Sequence, residues 1–211
     1  VSTAFPGIRG QTPLDDLLDF SGTVTAGGTA QLLLPQQPRR LSLSVSAVDA
    51  TDTLYLGIGP AKGVATLTSG TVSAIAVSNG GVGYTVAPQV RILGGVVQGD
   101  YETAPGSTNL GGASVPGRVA VAHATIAAGA VSAITVDDPG AGYLVPPLIY
   151  LENPWPALGG GAYAPGVNNG IPVPINTTFT FNGSLLVPGS AVAIFGATTG
   201  DQFHVKVGGL V

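Results

Sequence analysis

The chain has 211 residues, enough for one large all-β domain or two small ones, and carries 33 Gly, 17 Pro and only 9% charged residues. Average chains are about 25% charged, so this surface must be built from Ser, Thr, Asn, Gln and small apolar groups, a composition that suits burial in an assembly better than an isolated monomer. A net charge of −4 with scattered basic residues gives no footprint for nucleic acid, and the lack of cysteine excludes disulfides, a thiol nucleophile and Cys-type zinc. No apolar run reaches membrane-spanning length and no signal peptide is visible.

Residues 1–20 read as an N-terminal arm with one helical signal. Thr12 can cap, Pro13 suits the first helical position, and Asp15 and Asp16 favour the positive helix end, which predicts one or two turns to about Leu18. Together with Asp19 these carboxylates read as solvated helix-end groups rather than a metal cluster. From Ser21 the pattern turns to strands: Thr23 to Thr25, a turn at Gly27-Gly28, then Ala30 to Leu34. Leu41, Leu43 and Val45 alternate with Ser42, Ser44 and Ser46, and Leu54, Leu56 and Ile58 alternate after a turn at 49–52, so residues 41–58 read as a hairpin.

An internal repeat follows. Ala65 to Pro88 (ATLTSGTVSAIAVSNGGVGYTVAP) and Ala124 to Pro147 (ATIAAGAVSAITVDDPGAGYLVPP) align at a constant offset of 59, with 13 of 24 positions identical. Each copy is a strand, a tight turn at Gly70 or Gly129, and a second alternating strand (72–77 or 131–136). A Gly-x-Gly-Tyr element and a proline close the copy: Gly81, Gly83, Tyr84 and Pro88 in the first, Gly140, Gly142, Tyr143 and Pro147 in the second. Two glycines in three residues permit a compact loop, the tyrosine is a ring for that loop to fold over, and the proline suits a strand start or sheet edge. Pro139 stands where the first copy has Gly80, which argues against a phosphate cradle needing free N–H groups there.

Two long Gly/Pro-rich segments, 94–117 and 152–174, interrupt the strands. The second holds Trp155 and Tyr163, readable as anchors of a subunit interface or as rings for stacking on a sugar. The C-terminal quarter is β again: 178–181, a hairpin signal at Asn182-Gly183, then 185–187, 191–195 and 202–207. His123 and His204 have no His or Cys neighbour at ligand spacing, Asp137-Asp138 reads as an Asx turn before a weak calcium site, and no nucleophile or carboxylate pair stands out. The residues give no reason to expect an enzyme or a cofactor.

The repeat resembles the Gly-Gly-x-Gly-Tyr-x-x-x-Pro unit of bacteriophage structural proteins and some bacterial surface proteins. The flanks carry a second resemblance. Residues 21–31 (SGTVTAGGTAQ), Pro38-Arg39-Arg40 and 52–56 (DTLYL) look like the first half of a small virion domain, while 187–192 (VPGSAV) and 196–200 (GATTG) look like its closing half. Such domains are similar to β-sandwich or jelly-roll decoration and fibre-associated proteins of phage virions. The resulting expectation is all-β: a sandwich from 21–62 plus 175–211, with an inserted repeat domain at 63–174. The resemblance implies a non-enzymatic virion protein assembled in the host cytoplasm, foremost a capsid decoration (cement) protein, homotrimeric and bound to the major capsid protein. The alternative is a tail or head fibre or adaptor protein binding a host receptor or glycan, with Trp155, Tyr163 and the repeat tyrosines as aromatic platform.

Overall fold

Strands are the only regular elements among the described residues of the computed structural model, which are 17–36, 40–48, 51–95, 117–153, 160–182 and 189–209. They are β1 (Leu17–Asp19), β2 (Gly22–Thr23), β3 (Gln31–Leu34), β4 (Arg40–Val48), β5 (Leu54–Ile58), β6 (Lys62–Thr68), β7 (Thr71–Asn79) and β8 (Gln89–Leu93). There follow β9 (Val121–Ala127), β10 (Ala130–Asp138), β11 (Leu148–Glu152), β12 (Ile171–Val173), β13 (Thr178–Asn182), β14 (Val192–Phe195) and β15 (Gln202–Gly209). The protein is all-β, as the alternation predicts.

Two sheets face each other. One runs β1-β15-β4-β13, with β2 also on β15, and the other runs β12-β5-β14-β3. Counting β1 and β2 as one broken edge strand, this is the eight-stranded order of a jelly roll, with strands from residues 17–58 and 171–209 interleaved in both sheets. Period-two alternation sends Leu43, Val45 and Ala47 of β4 and Phe203, Val205 and Val207 of β15 inward, onto Leu54 and Leu56 of β5 and Val192 and Ile194 of β14.

Four expectations are corrected here. Leu17 and Leu18 are not helical: β1 pairs with β15 (Leu18 opposite Val207), so the backbone of a sheet edge overrides a weak capping signal, and residues 1–16 lie outside the described residues. Residues 41–58 are not a hairpin, because β4 and β5 belong to opposite sheets; in a jelly roll successive strands cross the sandwich. The expected hairpin from 178–181 through Asn182-Gly183 to 185–187 lies partly outside the described residues, while β13 and the later β14 belong to opposite sheets. Leu41 points outward, since the register with β15 slips by one residue there, a bulge that turns Leu41 out and swings Arg40 in. Finally β12 pairs with β5 (Ile171 opposite Leu56), so the flanking sheets begin by Ile171 and not at 175.

The repeats build a six-stranded sheet, β8-β11-β6-β7-β10-β9, that curls into a nearly closed barrel with β8 and β9 side by side at the open seam. Its core takes matching residues from both copies: Ala65 and Ala124, Val72 and Val131, Ile75 and Ile134. The copies are related by a pseudo-twofold axis. Ile75 pairs with Ile134 across β7 and β10, and Arg91 pairs with Tyr150 across β8 and β11, each position facing its own equivalent at the offset of 59. Bonds between the copies come in reciprocal pairs: Val72 N–H to Pro139 O (2.9 Å) matches Val131 N–H to Gly80 O (2.8 Å). The bulges repeat too. Ser73 and Ser132 are the extra residues in β7 and β10, and their hydroxyls donate to Thr66 O (3.1 Å) and Thr125 O (3.2 Å).

Each copy turns between its first two strands on two residues of positive φ, Ser69 (50°) with Gly70 (75°), and Ala128 (50°) with Gly129 (77°). This is the mirror-image turn whose twist suits a hairpin, and it asks alanine to sit where its Cβ crowds the carbonyl. Ala128→Gly should therefore stabilise the protein by about 1 kcal/mol, a rise in melting temperature of roughly 2–4 °C. A lower melting temperature in calorimetry would show that the turn carries no such strain.

Candidate functional site

The Gly-x-Gly-Tyr elements are placed identically in the two copies. Tyr84 and Tyr143 are 2% and 3% exposed, and their hydroxyls accept from Ala61 N–H (2.8 Å) and Ala120 N–H (2.7 Å). The loop of each copy docks on the turn of the other, with Tyr84 N–H donating to Gly129 O (2.9 Å) and Tyr143 N–H to Gly70 O (3.0 Å). Gly81 and Gly140 have φ of 69° and 62°, and a Cβ on either would strike the ring it covers. Gly83 and Gly142 (85° and 80°) complete the bends, while Pro88 and Pro147 are buried where β8 and β11 begin. Side-chain carbonyls hold the loops at equivalent positions: Asn79 Oδ1 accepts from Gly81 N–H and Asp138 Oδ1 from Gly140 N–H, both at 2.9 Å. The Gly140 N–H, and after it Arg118, hold the Asp138 carboxyl below the usual carboxylate range. Asp138 thus makes an Asx-type turn, and Asp137 accepts from His123 Nδ1 at 2.8 Å.

With both rings inward, the repeat tyrosines offer no stacking face to a ligand. Tyr163 sits at an internal junction. Its N–H donates to Gly59 O (2.6 Å), its ring lies 4.8 Å from Lys62 Nζ, and the adjoining Ala162 pairs with Val82 of the barrel. This strap, residues 160–165, is wedged between sandwich and barrel: a Cβ on Gly161 would lie 2.4 Å from the Tyr84 ring, and one on Gly57 2.2 Å from Tyr163 O. Leu32, Val82, Ala162, Ala191 and Ala193 fill the same joint. Trp155 lies outside the described residues.

Beside this joint opens a cleft of about 510 Å³, between the outer face of β8 and β11 and the sandwich residues Gln36 and Ser190. Period two and the register place Gln89 opposite Glu152 and Arg91 opposite Tyr150 on that face. Glu152 accepts a charge-assisted bond from Arg91 Nε. Tyr150 is 45% exposed. Asn153 continues the wall, its Nδ2 donating to Gly161 O (2.9 Å). On the sandwich side the buried Arg40 donates to Pro35 O (2.9 Å) and Ser190 O (3.2 Å), pinning the segments that carry Gln36 and Ser190. Burial pushes its guanidinium down to about 10.

Further along, the same face becomes apolar: Leu148 stands between Leu93 on β8 and Val64 on β6, at exposures of 66%, 47% and 56%. None of these positions stands out in the sequence, because exposed strand residues declare a site only once the β8–β11 register joins segments some sixty residues apart. The signal available was the offset of 59 itself, which makes Arg91 and Tyr150 equivalent.

Among the described residues no group of three or more His, Cys, Asp or Glu side chains is placed to hold a metal ion, and no helix is long and apolar enough to cross a membrane. His204 lies exposed on β15, opposite Ser46. No family model matches this chain, and no curated protein or solved structure matches it.

Proposed function

We propose that this chain is a non-enzymatic structural protein of a bacteriophage virion, a capsid decoration protein that binds the major capsid protein as a homotrimer. The observation that carries the reading is the outward row Leu93–Leu148–Val64 on a barrel otherwise short of charge. Apolar side chains held in register on a rigid sheet favour a surface that a neighbouring subunit covers. The resemblance of the flanks and the repeat to virion domains supplies the setting. A second reading, a fibre or adaptor protein that recognises a glycan, is favoured by the cleft at Tyr150.

The test uses virions with and without the protein. A cement protein adds its binding energy to the closed shell by mass action, so particles lacking it release their genome at lower temperature. Its copy number scales with the capsomers and not with the tail. Unchanged thermal release, or a copy number tied to a single vertex, overturns the decoration reading.

A further inference from the structure

The side chains of the cleft share one property. Gln36, Gln89 and Asn153 present amides, Tyr150 and Ser190 present hydroxyls, and each such group can both donate and accept. Among the described residues the formal charges lining it are Arg91 and Glu152, and they neutralise each other. Nearby Lys62 is drawn over the Tyr163 ring. The Gln36 side chain lines the cleft, and its amide oxygen is buried with no donor among the described residues, an acceptor that a ligand hydroxyl can satisfy.

These features discriminate between ligand classes. A phosphate needs several donors with uncompensated positive charge, and among the described lining residues the one guanidinium, Arg91, is already paired. A divalent cation needs several oxygen ligands of net negative charge, and among the described residues one carboxylate lines the cleft. An apolar ligand needs an apolar floor, whereas among the described residues Pro60 and Ala87 are the apolar aliphatic linings. A sugar fits each feature. Its hydroxyls both donate and accept, and its ring carries a C–H face that packs on an aromatic side chain. The volume suits one or two pyranose rings.

We propose that the cleft between sandwich and barrel is a binding site for a neutral saccharide, seated against Tyr150 and held through its hydroxyls by Gln36, Gln89 and Asn153. The proposal rests on the glycan-recognition reading above and gives it a place on the molecule, while the decoration reading is decided separately by the virion test. Its walls come from β8, β11 and two sandwich segments pinned by Arg40, so it is largely formed before a ligand arrives. A single small sugar in such a site should bind with a dissociation constant of about 1 mM.

The experiment is saturation-transfer NMR on the full chain with glucose, galactose, mannose, N-acetylglucosamine and their disaccharides, beside inorganic phosphate as a competitor. The expected result is transfer to the ring protons of at least one sugar, with shifts at the side-chain amides of Gln36, Gln89 and Asn153. Tyr150→Ala should weaken it by about tenfold or more, and Thr125→Ala, on the exposed face of β9, should not. Should Tyr150→Ala fail to fold, Gln89→Ala at the same face gives the same decision. Absence of transfer from every sugar, transfer that survives both variants, or displacement of the sugar by phosphate overturns the proposal.

Discussion

Tyr143→Ala is expected to destabilise the barrel by about 3–5 kcal/mol, the range for truncating a large buried aromatic. The ring is almost fully buried, one of the largest side chains in the barrel core, and its hydroxyl satisfies Ala120 N–H inside the protein. Tyr84→Ala should cost as much, because the same contacts recur 59 residues earlier and Gly161 packs on the ring. Tyr84→Phe isolates the hydroxyl: the buried Ala61 N–H loses its acceptor, at a cost of about 1–3 kcal/mol. This residue also gives the barrel an alkaline limit. Burial raises the Tyr84 phenol above its ordinary 10.0, against an opposing contribution from the Ala61 hydrogen bond. A raised acid is fully stabilising below its unfolded pKa, so that contribution is present up to about pH 10 and lost as pH climbs towards the folded value. Thermal melts from pH 8 to pH 11 of the native protein and Tyr84→Phe will show it: the native melting temperature falls more steeply above pH 10. An unshifted melt of Tyr84→Ala, with loss of a bound glycan instead, would favour an exposed tyrosine platform.

The repeat was legible because its two copies obey the same local rules: turn glycines, period two, a ring behind a bend. The sequence pattern could not say what the copies do to each other. The reciprocal docking of Tyr84 on Gly129 and Tyr143 on Gly70 depends on a pseudo-twofold axis that no single window contains. Alternation likewise told which side of β4 is buried, yet not which sheet β5 joins, since Leu54 and Leu56 point into the same core from the opposite side. Leu41 escaped because one bulge reverses the alternation behind it. The helix-start chemistry of Thr12 to Asp16 does not extend to Leu17 and Leu18, because their backbone is taken up by β15. The cleft was least legible of all. Gln36, Gln89, Tyr150 and Ser190 come from four segments, and each alone is an ordinary exposed or half-exposed residue.

Excising residues 59–168 and joining Ile58 to Asn169 through an Asn-Gly turn should leave a folded jelly roll. β5 and β12 are antiparallel neighbours, with Leu54 opposite Val173 and Leu56 opposite Ile171, so continuing the register brings position 58 opposite 169. The barrel therefore occupies the place of an ordinary hairpin loop, and a two-residue turn of the mirror-image type can close it. Among the described residues the buried core of the sandwich comes from 24–56 and 173–207, so excision removes none of these members. What excision exposes is the joint: Leu32, Ala191 and Ala193 lose Val82 and Ala162. Uncovering one leucine and two alanines costs about 2–3 kcal/mol, which a Leu32→Thr change in the shortened chain should partly offset by keeping the exposed edge soluble. Circular dichroism should retain a β signature with a cooperative melt, and NMR should show dispersed amides. A molten or aggregated product, with Leu32→Thr included, would mean that the sandwich needs the barrel to fold, through the joint and through Gly59, whose N–H donates to Ala191 O and whose carbonyl accepts from Tyr163 N–H.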